Sequence, residues 1–284
     1  MLQEPISRKS TRPRVDRALR EAFARQHPGV ALDAKGYVSD FRQTLLPMVS
    51  VEDFEDDLRA GLGNEMLFKF RAVHSSAALA VNCFAPFRRR VKELPLPCGG
   101  VFESLHFERK CPTGIFGRPP NIDVLLESSS EVVGIESKLT EHLSRRTPHR
   151  KKFSPAYQER FGDASEMLGY VHEMNRIRSS VDNYRWLDAS QLIKHAFGLA
   201  IAFPDRPVKL LYLYWEPANL DRGPVFETHR EEVAAFGERV AGYSPKFVAM
   251  SYPELWQSWQ DREGTPDWIL QHLGHLRNRY LVQI

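Results

Sequence analysis

Cysteine is scarce in this chain: Cys83, Cys98 and Cys111 are the only three among 284 residues. They are odd in number and none sits in a CxxC pair, which excludes a disulfide framework and a zinc knuckle and fits a reducing, cytoplasmic setting. Long apolar runs are missing as well. No segment approaches the ~18 consecutive apolar residues of a membrane span. The basic opening "MLQEPISRKSTRPR" is not followed by an apolar h-region, so neither a signal peptide nor a membrane partner is expected. Internal repeats and low-complexity tracts are absent. So are the G-x-S-x-G elbow, HExxH, the Walker A loop and the dinucleotide glycine pattern, which removes the commonest hydrolase, zinc-protease and nucleotide-binding readings.

What remains is a composition of globular type, 42% hydrophobic and 26% charged. The net charge of +3 and pI near 8.7 are compatible with a polyanionic partner without requiring one. Residues 1–14 are polar, basic and proline-containing and read as a mobile tail. Helical periodicity follows at 15–26, at 51–70 with glycines that could break it, and at 75–87, where Ser75 caps an apolar run stopped by Pro86. Strand-like segments come next, at 101–108, 121–127 and 131–138. Helical patterns at 156–180 and 184–203 lead to the strongest buried strand, "VKLLYLYWE" at 208–216. A helix at 227–241, a strand at 246–252 and two closing helices complete the chain. Strands embedded among helices predict an α/β layer protein. The expected division is a tail and helical extension at 1–59 and one domain at 60–284.

The polar residues inside the second and third strands are the anomaly. Asp123 interrupts "NIDVLLE", while Glu136 and Lys138 sit inside "EVVGIESK". Side chains two apart on a strand share a face, so Glu136 and Lys138 lie together. A two-residue turn at Ser129-Ser130 would set Asp123 opposite Glu136 and bring two carboxylates and an ammonium onto one patch. Neighbouring carboxylates repel unless a cation sits between them or one takes a proton. Oxygen-only ligands suit Mg²⁺ or Mn²⁺, and a lysine beside them can orient or deprotonate a water and offset charge developing on phosphorus. Such a set suits phosphodiester hydrolysis. The plainer alternative is a solvated Glu136–Lys138 pair on a surface hairpin, worth ~0–1 kcal/mol. Against it stand the flanking Ile122, Val124, Leu125, Leu126, Val132, Val133 and Ile135, which predict an internal strand. Gly134 shares the polar face and would leave room for a ligand at the backbone.

The series Pro120-Asn121-Ile122-Asp123, then Glu136-Ser137-Lys138, resembles the signature of the PD-(D/E)XK nuclease superfamily, the restriction-endonuclease-like proteins. It departs from that pattern by two residues inserted between proline and aspartate. With "SSAALAVNCF", "IESKLTE" and "LDASQLIKHAFGLA" the likeness extends over roughly residues 60 to 255 and reaches a bacterial restriction-endonuclease group within the superfamily. The resemblance implies an α/β/α sandwich around a mixed sheet of about five strands, with added N- and C-terminal helices. It implies a Mg²⁺- or Mn²⁺-dependent deoxyribonuclease, in restriction and defence or in DNA repair. Asp123 and Glu136 would bind metal, and Lys138 would activate or position water.

The same resemblance assigns Gln191 to the site, with Lys194 or His195 assisting on DNA; otherwise these form the polar shoulder of an amphipathic helix. Glu65 best matches a metal-binding glutamate on a helix preceding the sheet. Glu103 and Glu108 read as rim residues and Glu141 as a local salt-bridge partner. Arg145, Arg146, Arg150 and Lys151 follow the catalytic strand and could contact phosphates, whereas Arg88-Arg89-Arg90 reads as a solvated face. Cleavage of both strands would favour a homodimer, and the sequence does not say whether a methyltransferase accompanies the chain. The competing class is a nucleic-acid-binding protein that keeps the fold without catalysis.

Overall fold

The computed structural model describes residues 11–62, 68–145, 153–179, 184–219 and 223–284. Five strands form one sheet: β1 (Ser104–Lys110), β2 (Asn121–Glu127), β3 (Val132–Lys138), β4 (Val208–Tyr214) and β5 (Lys246–Ser251). Their spatial order follows the chain. β1, β2 and β3 run antiparallel, and β3, β4 and β5 run parallel. The mixed sheet is thus a three-stranded meander joined to a parallel half, whose strands need crossovers.

Helices fill both faces. α1 (Thr11–Gln26), α2 (Glu55–Leu62) and α3 (Ser76–Phe84) precede the sheet. α4 (Pro155–Phe161), α5 (Leu168–Ser179) and α6 (Ala189–Ala202) form the crossover from β3 to β4. α7 (Pro224–Arg239) joins β4 to β5, and α8 (Tyr252–Asp261) and α9 (Asp267–Tyr280) follow. Alternation along the strands sorts the side chains. Val124, Leu126, Val133, Ile135, Leu211 and Leu213 meet α1, α3, α8 and α9 in one core. Leu125, Val132, Leu210, Tyr212 and Tyr214 meet α4 to α7 in the other. This is the α/β/α sandwich expected. All seven residues of β3 are buried, which removes the reading of a solvated surface hairpin.

Three boundaries differ from the sequence pattern, each for a local reason. Thr11 to Arg14, expected in the tail, belong to α1. Arg12 there donates to Ser144 Oγ at 2.7 Å, and Val15, Leu19, Ala22 and Phe23 are buried behind it. The helix expected from 184 starts at Ala189 instead. The amides of Arg185, Trp186 and Leu187 donate to the Glu232 carboxylate on α7 at 2.7–2.9 Å, so they are unavailable to helical geometry. Asp188 then caps the helix by accepting the Gln191 N–H at 3.1 Å. The pattern at 51–70 breaks into a 3₁₀ turn at Val51–Asp53 and the short α2. Of the arginine run, Arg89 and Arg90 are exposed, as a solvated face requires, with Arg89 pairing with Asp53 and Arg90 lying over the Trp268 ring, while Arg88 is half-buried and binds Asp57.

Helix α6 lies hard against the sheet, and two glycines permit it. A Cβ on Gly198 would fall 2.3 Å from the Cys111 carbonyl oxygen, and one on Gly134 2.7 Å from Leu199 Cδ1. The space expected over Gly134 for a ligand is therefore filled by Leu199. Because the neighbour of Gly198 is backbone, Gly198→Ala should lower stability by about 1–3 kcal/mol, the range for overpacking. Denaturant unfolding should show a lower midpoint at unchanged m-value; an unchanged midpoint would show that α6 can back away freely.

Candidate active site

The β2–β3 turn sets the geometry. Ser128 N–H donates to Glu131 O at 2.9 Å, leaving Ser129 and Ser130 as the two turn residues. Pairing then runs Glu127↔Val132, Leu126↔Val133, Leu125↔Gly134 and Val124↔Ile135. One further step puts Asp123 opposite Glu136, but the regular ladder stops there. Asp123 Oδ2 instead accepts the Ser137 N–H at 2.7 Å, a carboxylate standing where a backbone carbonyl would be. Alternation breaks at the same place: Val124 joins one core while Ile122 joins the other.

β1 adds a third carboxylate. Phe107 pairs with Val124 and Arg109 with Ile122, so Glu108 is the residue abreast of Asp123. Among the described residues Glu108 is the one non-glycine with positive φ, at 49°. Such left-handed backbone at a non-glycine residue costs energy and gathers at functional sites. Glu108, Asp123 and Glu136 thus form a row across three adjacent strands. Lys138 Nζ donates to Glu136 Oε1. His195 Nδ1, from α6, lies 3.0 Å from Glu136 Oε2. Glu136 is fully buried, with Lys138 and His195 nearly so.

The row opens onto a cavity of about 450 Å³, lined also by Arg118, Asn121, Asp188, Gln191, Lys194 and His195. The structure thereby brings together Asp123, Gln191, Lys194 and His195, with Glu136 and Lys138 directly behind. Lys194 Nζ sits 5.5 Å above the Phe153 ring centroid and 5.7 Å from that of Tyr157, held by cation–π contacts. Arg145 is exposed and outside this lining. Glu65, Arg146, Arg150 and Lys151 lie outside the described residues. Glu103 is at the far end of β1, near Ser129. Glu141 accepts the Leu139 and Thr140 N–H groups at 3.0 Å, and its charge also acts on Lys138. Glu108 is the residue the sequence pattern undervalued: period-2 alternation cannot reveal a twisted backbone.

Electrostatics divides the row. Burial alone would raise the Glu136 pKa, but Lys138 and His195 outweigh it and bring it down to about 2. Burial likewise opposes the charge of Lys138, yet Glu136, Asp123 and Glu141 hold it firmly as an ammonium. As an ammonium it has protons to orient a water or to donate to an oxyanion. Burial, then Glu136, pushes Glu108 up to about 7. The same two causes, with Glu108 added, raise Asp123 well above the carboxylate range. Protons thus stand in for missing positive charge. Among the described residues no three His, Cys, Asp or Glu side chains form a ready metal cage. The donor chemistry nonetheless fits a hard divalent cation, since all donors are carboxylate oxygens with surplus negative charge.

Against protein families, residues 17–281 match the model for the restriction endonuclease associating with ARP. The chain belongs to that family. Searches of curated proteins and of solved structures return no match. The family points to a nuclease-related function, and the matched residues take in the three strands, β1 to β3, that carry the polar row. Among the described residues no helix is long and apolar enough to cross a membrane.

The raised Glu108 pKa has a stability consequence. Between pH 4.5 and about 7 the folded chain keeps a proton on Glu108 that the unfolded chain releases. Stability is therefore lost as pH rises through that window and levels off above it. At ~1.36 kcal/mol per pH unit the full effect is on the order of 3 kcal/mol. Thermal unfolding in chelator should show Glu108→Gln gaining on the parent chain as pH rises and retaining only the share of the slope due to Asp123. Parallel curves would mean that Glu108 is ionised throughout.

Proposed function

We propose that this chain is a metal-dependent endonuclease that hydrolyses phosphodiester bonds in DNA, serving restriction and defence or DNA repair in the cytoplasm. The observation that carries this reading is the row of Glu108, Asp123 and Glu136 with Lys138 at its end, opening through Glu108 and Asp123 onto a cavity rimmed by Arg118 and Lys194. Asp123 and Glu136 would hold Mg²⁺ or Mn²⁺, with Glu108 beside them and Glu65 as the further candidate from the sequence. A bound cation of this kind polarises a phosphoryl oxygen and acidifies the attacking water.

The residues of the chain do the rest. Lys138, a fixed ammonium, would donate to the water or to the oxygen on which charge builds, stabilisation that matters most in a site closed from solvent. His195 holds Glu136 from the helix side, so the carboxylate keeps one orientation. Lys194 and Arg118 would take neighbouring phosphates, with Gln191 positioned at the mouth between them. The family name adds ARP as an associated partner; a homodimer would serve cleavage of both strands.

The non-catalytic reading draws on one observation, that Glu136 is already engaged by both Lys138 and His195. It predicts DNA binding that needs no metal and survives loss of the row. The endonuclease reading predicts cleavage of DNA in Mg²⁺ that falls about 10²–10³-fold or more in Asp123→Asn and Lys138→Ala, the scale for removing one charge-stabilising group. Binding in Ca²⁺ should persist in both variants. A purified chain inert on duplex, single-stranded and structured DNA and on RNA, with several metals, would sink the proposal.

A further inference from the structure

Ten residues, 111–120, connect β1 to β2; Arg118, Pro119 and Pro120 line the cavity of the polar row, and Gly114, Ile115 and Phe116 line a neighbouring hollow with Ser154 and Arg160. The base of this loop is pinned. Cys111 N–H donates to Pro120 O at 2.9 Å, Thr113 is buried, and Ile115 packs on the core beneath α6. Its tip is the opposite. Phe116 is 106% exposed, so its ring meets no protein, while the other large exposed hydrophobics Phe68, Val101 and Leu270 reach 59%, 63% and 40%. Gly114 and Gly117 bracket it at φ +71° and +131°, a left-handed backbone that L side chains rarely adopt. The chain turns Ile115 inward and the next residue outward, which keeps the ring projecting. Scattered exposed apolar groups are normal, but a whole phenyl ring without a contact forgoes the burial that usually justifies it.

Its surroundings decide what it meets. Arg118, two residues on, is exposed and lines the same cavity as Asp123 and Glu108. Arg109 at the base of the loop is exposed as well. Two residues of extended chain span at most ~7 Å, so a phosphate held by Arg118 sets the ring against that nucleotide or its neighbour. Cations that grip a backbone beside an apolar wedge form the combination by which proteins part base steps. A protein partner would be served by a wider apolar surface than one ring flanked by arginines.

We infer that Phe116 inserts into DNA and stacks on a base at the step whose phosphate enters the cavity, unstacking that step. This rests on the nuclease reading above and adds to it a contact to the bases made from outside the row of carboxylates. The ring would hold the duplex in register and favour easily unstacked steps, pyrimidine–purine ones above all.

The test uses the full chain in Ca²⁺ with pools of random-sequence duplex and single-stranded DNA, the duplexes carrying 2-aminopurine throughout. Fluorescence should rise when the parent chain or Phe116→Trp binds, and stay flat with Phe116→Ala. Phe116→Ala should also bind about tenfold more weakly, the loss of one base stacked on an aromatic ring, with an unchanged salt dependence. Equal affinity and fluorescence for the parent chain and Phe116→Ala would overturn the insertion alone and turn the ring toward a protein partner. Flat fluorescence from a bound parent chain would overturn it too. No salt-dependent binding to either pool would overturn both this contact and the nuclease reading.

Discussion

The contact between Lys138, Glu136 and His195 is the interaction on which the rest of the site depends. Ionised groups in the middle of an internal strand carry a desolvation cost of several kcal/mol each. They persist only if each charge finds its counterpart at fixed distance. β3 provides Lys138 and Glu136 on one face, and α6 delivers His195 to the second carboxylate oxygen. Removing Lys138 or Glu136 would leave the other's buried charge unbalanced. Asp123 and Glu108 are the remainder of this account: carboxylates on which burial and the charge of Glu136 outweigh the pull of Lys138, so that they are held toward their protonated forms.

Much of the frame serves to hold α6 at the right height above the sheet. Gly198 and Gly134 let it close on the strands, and Glu232 binds the three amides that precede its cap. The helix begins where the cavity needs its first turn, bringing Gln191, Lys194 and His195 to the mouth. Glu232 lies on α7, outside the cavity lining, so it acts as a positioning residue through backbone rather than through chemistry.

The sheet and the core of the site were legible because both follow local rules. Short apolar runs set off by turn residues located all five strands, and simple counting through Ser129 and Ser130 placed Asp123 beside Glu136. What escaped depends on contacts distant in sequence or on backbone that breaks the pattern. Glu108 looked like a rim residue because nothing in "VFESLHFE" announces a left-handed turn of the chain at that position. The start of α6 was misplaced because its cause, Glu232, lies 45 to 47 residues further on. Gly134 read as ligand space because the helix that fills it comes from another part of the chain. Arg88 read as solvated because its partner, Asp57, precedes it by 31 residues.

Tyr280 and Arg279 give the opposite face a temporal character. Tyr280 O accepts from Trp215 Nε1 at 2.7 Å, and its hydroxyl accepts from Asn82 Nδ2 at 2.8 Å. The fully buried guanidinium of Arg279 donates to Leu19 O and Val73 O. One turn of α9 therefore joins α1, the segment before α3, α3 itself and the end of β4. A chain emerging from the ribosome holds Asp123, Glu136 and Lys138 long before it holds this latch. The layer beneath the sheet cannot close until Tyr280 has been made and released from the exit tunnel. Whatever chemistry the row performs, the layer that supports it waits on a helix made long after Lys138.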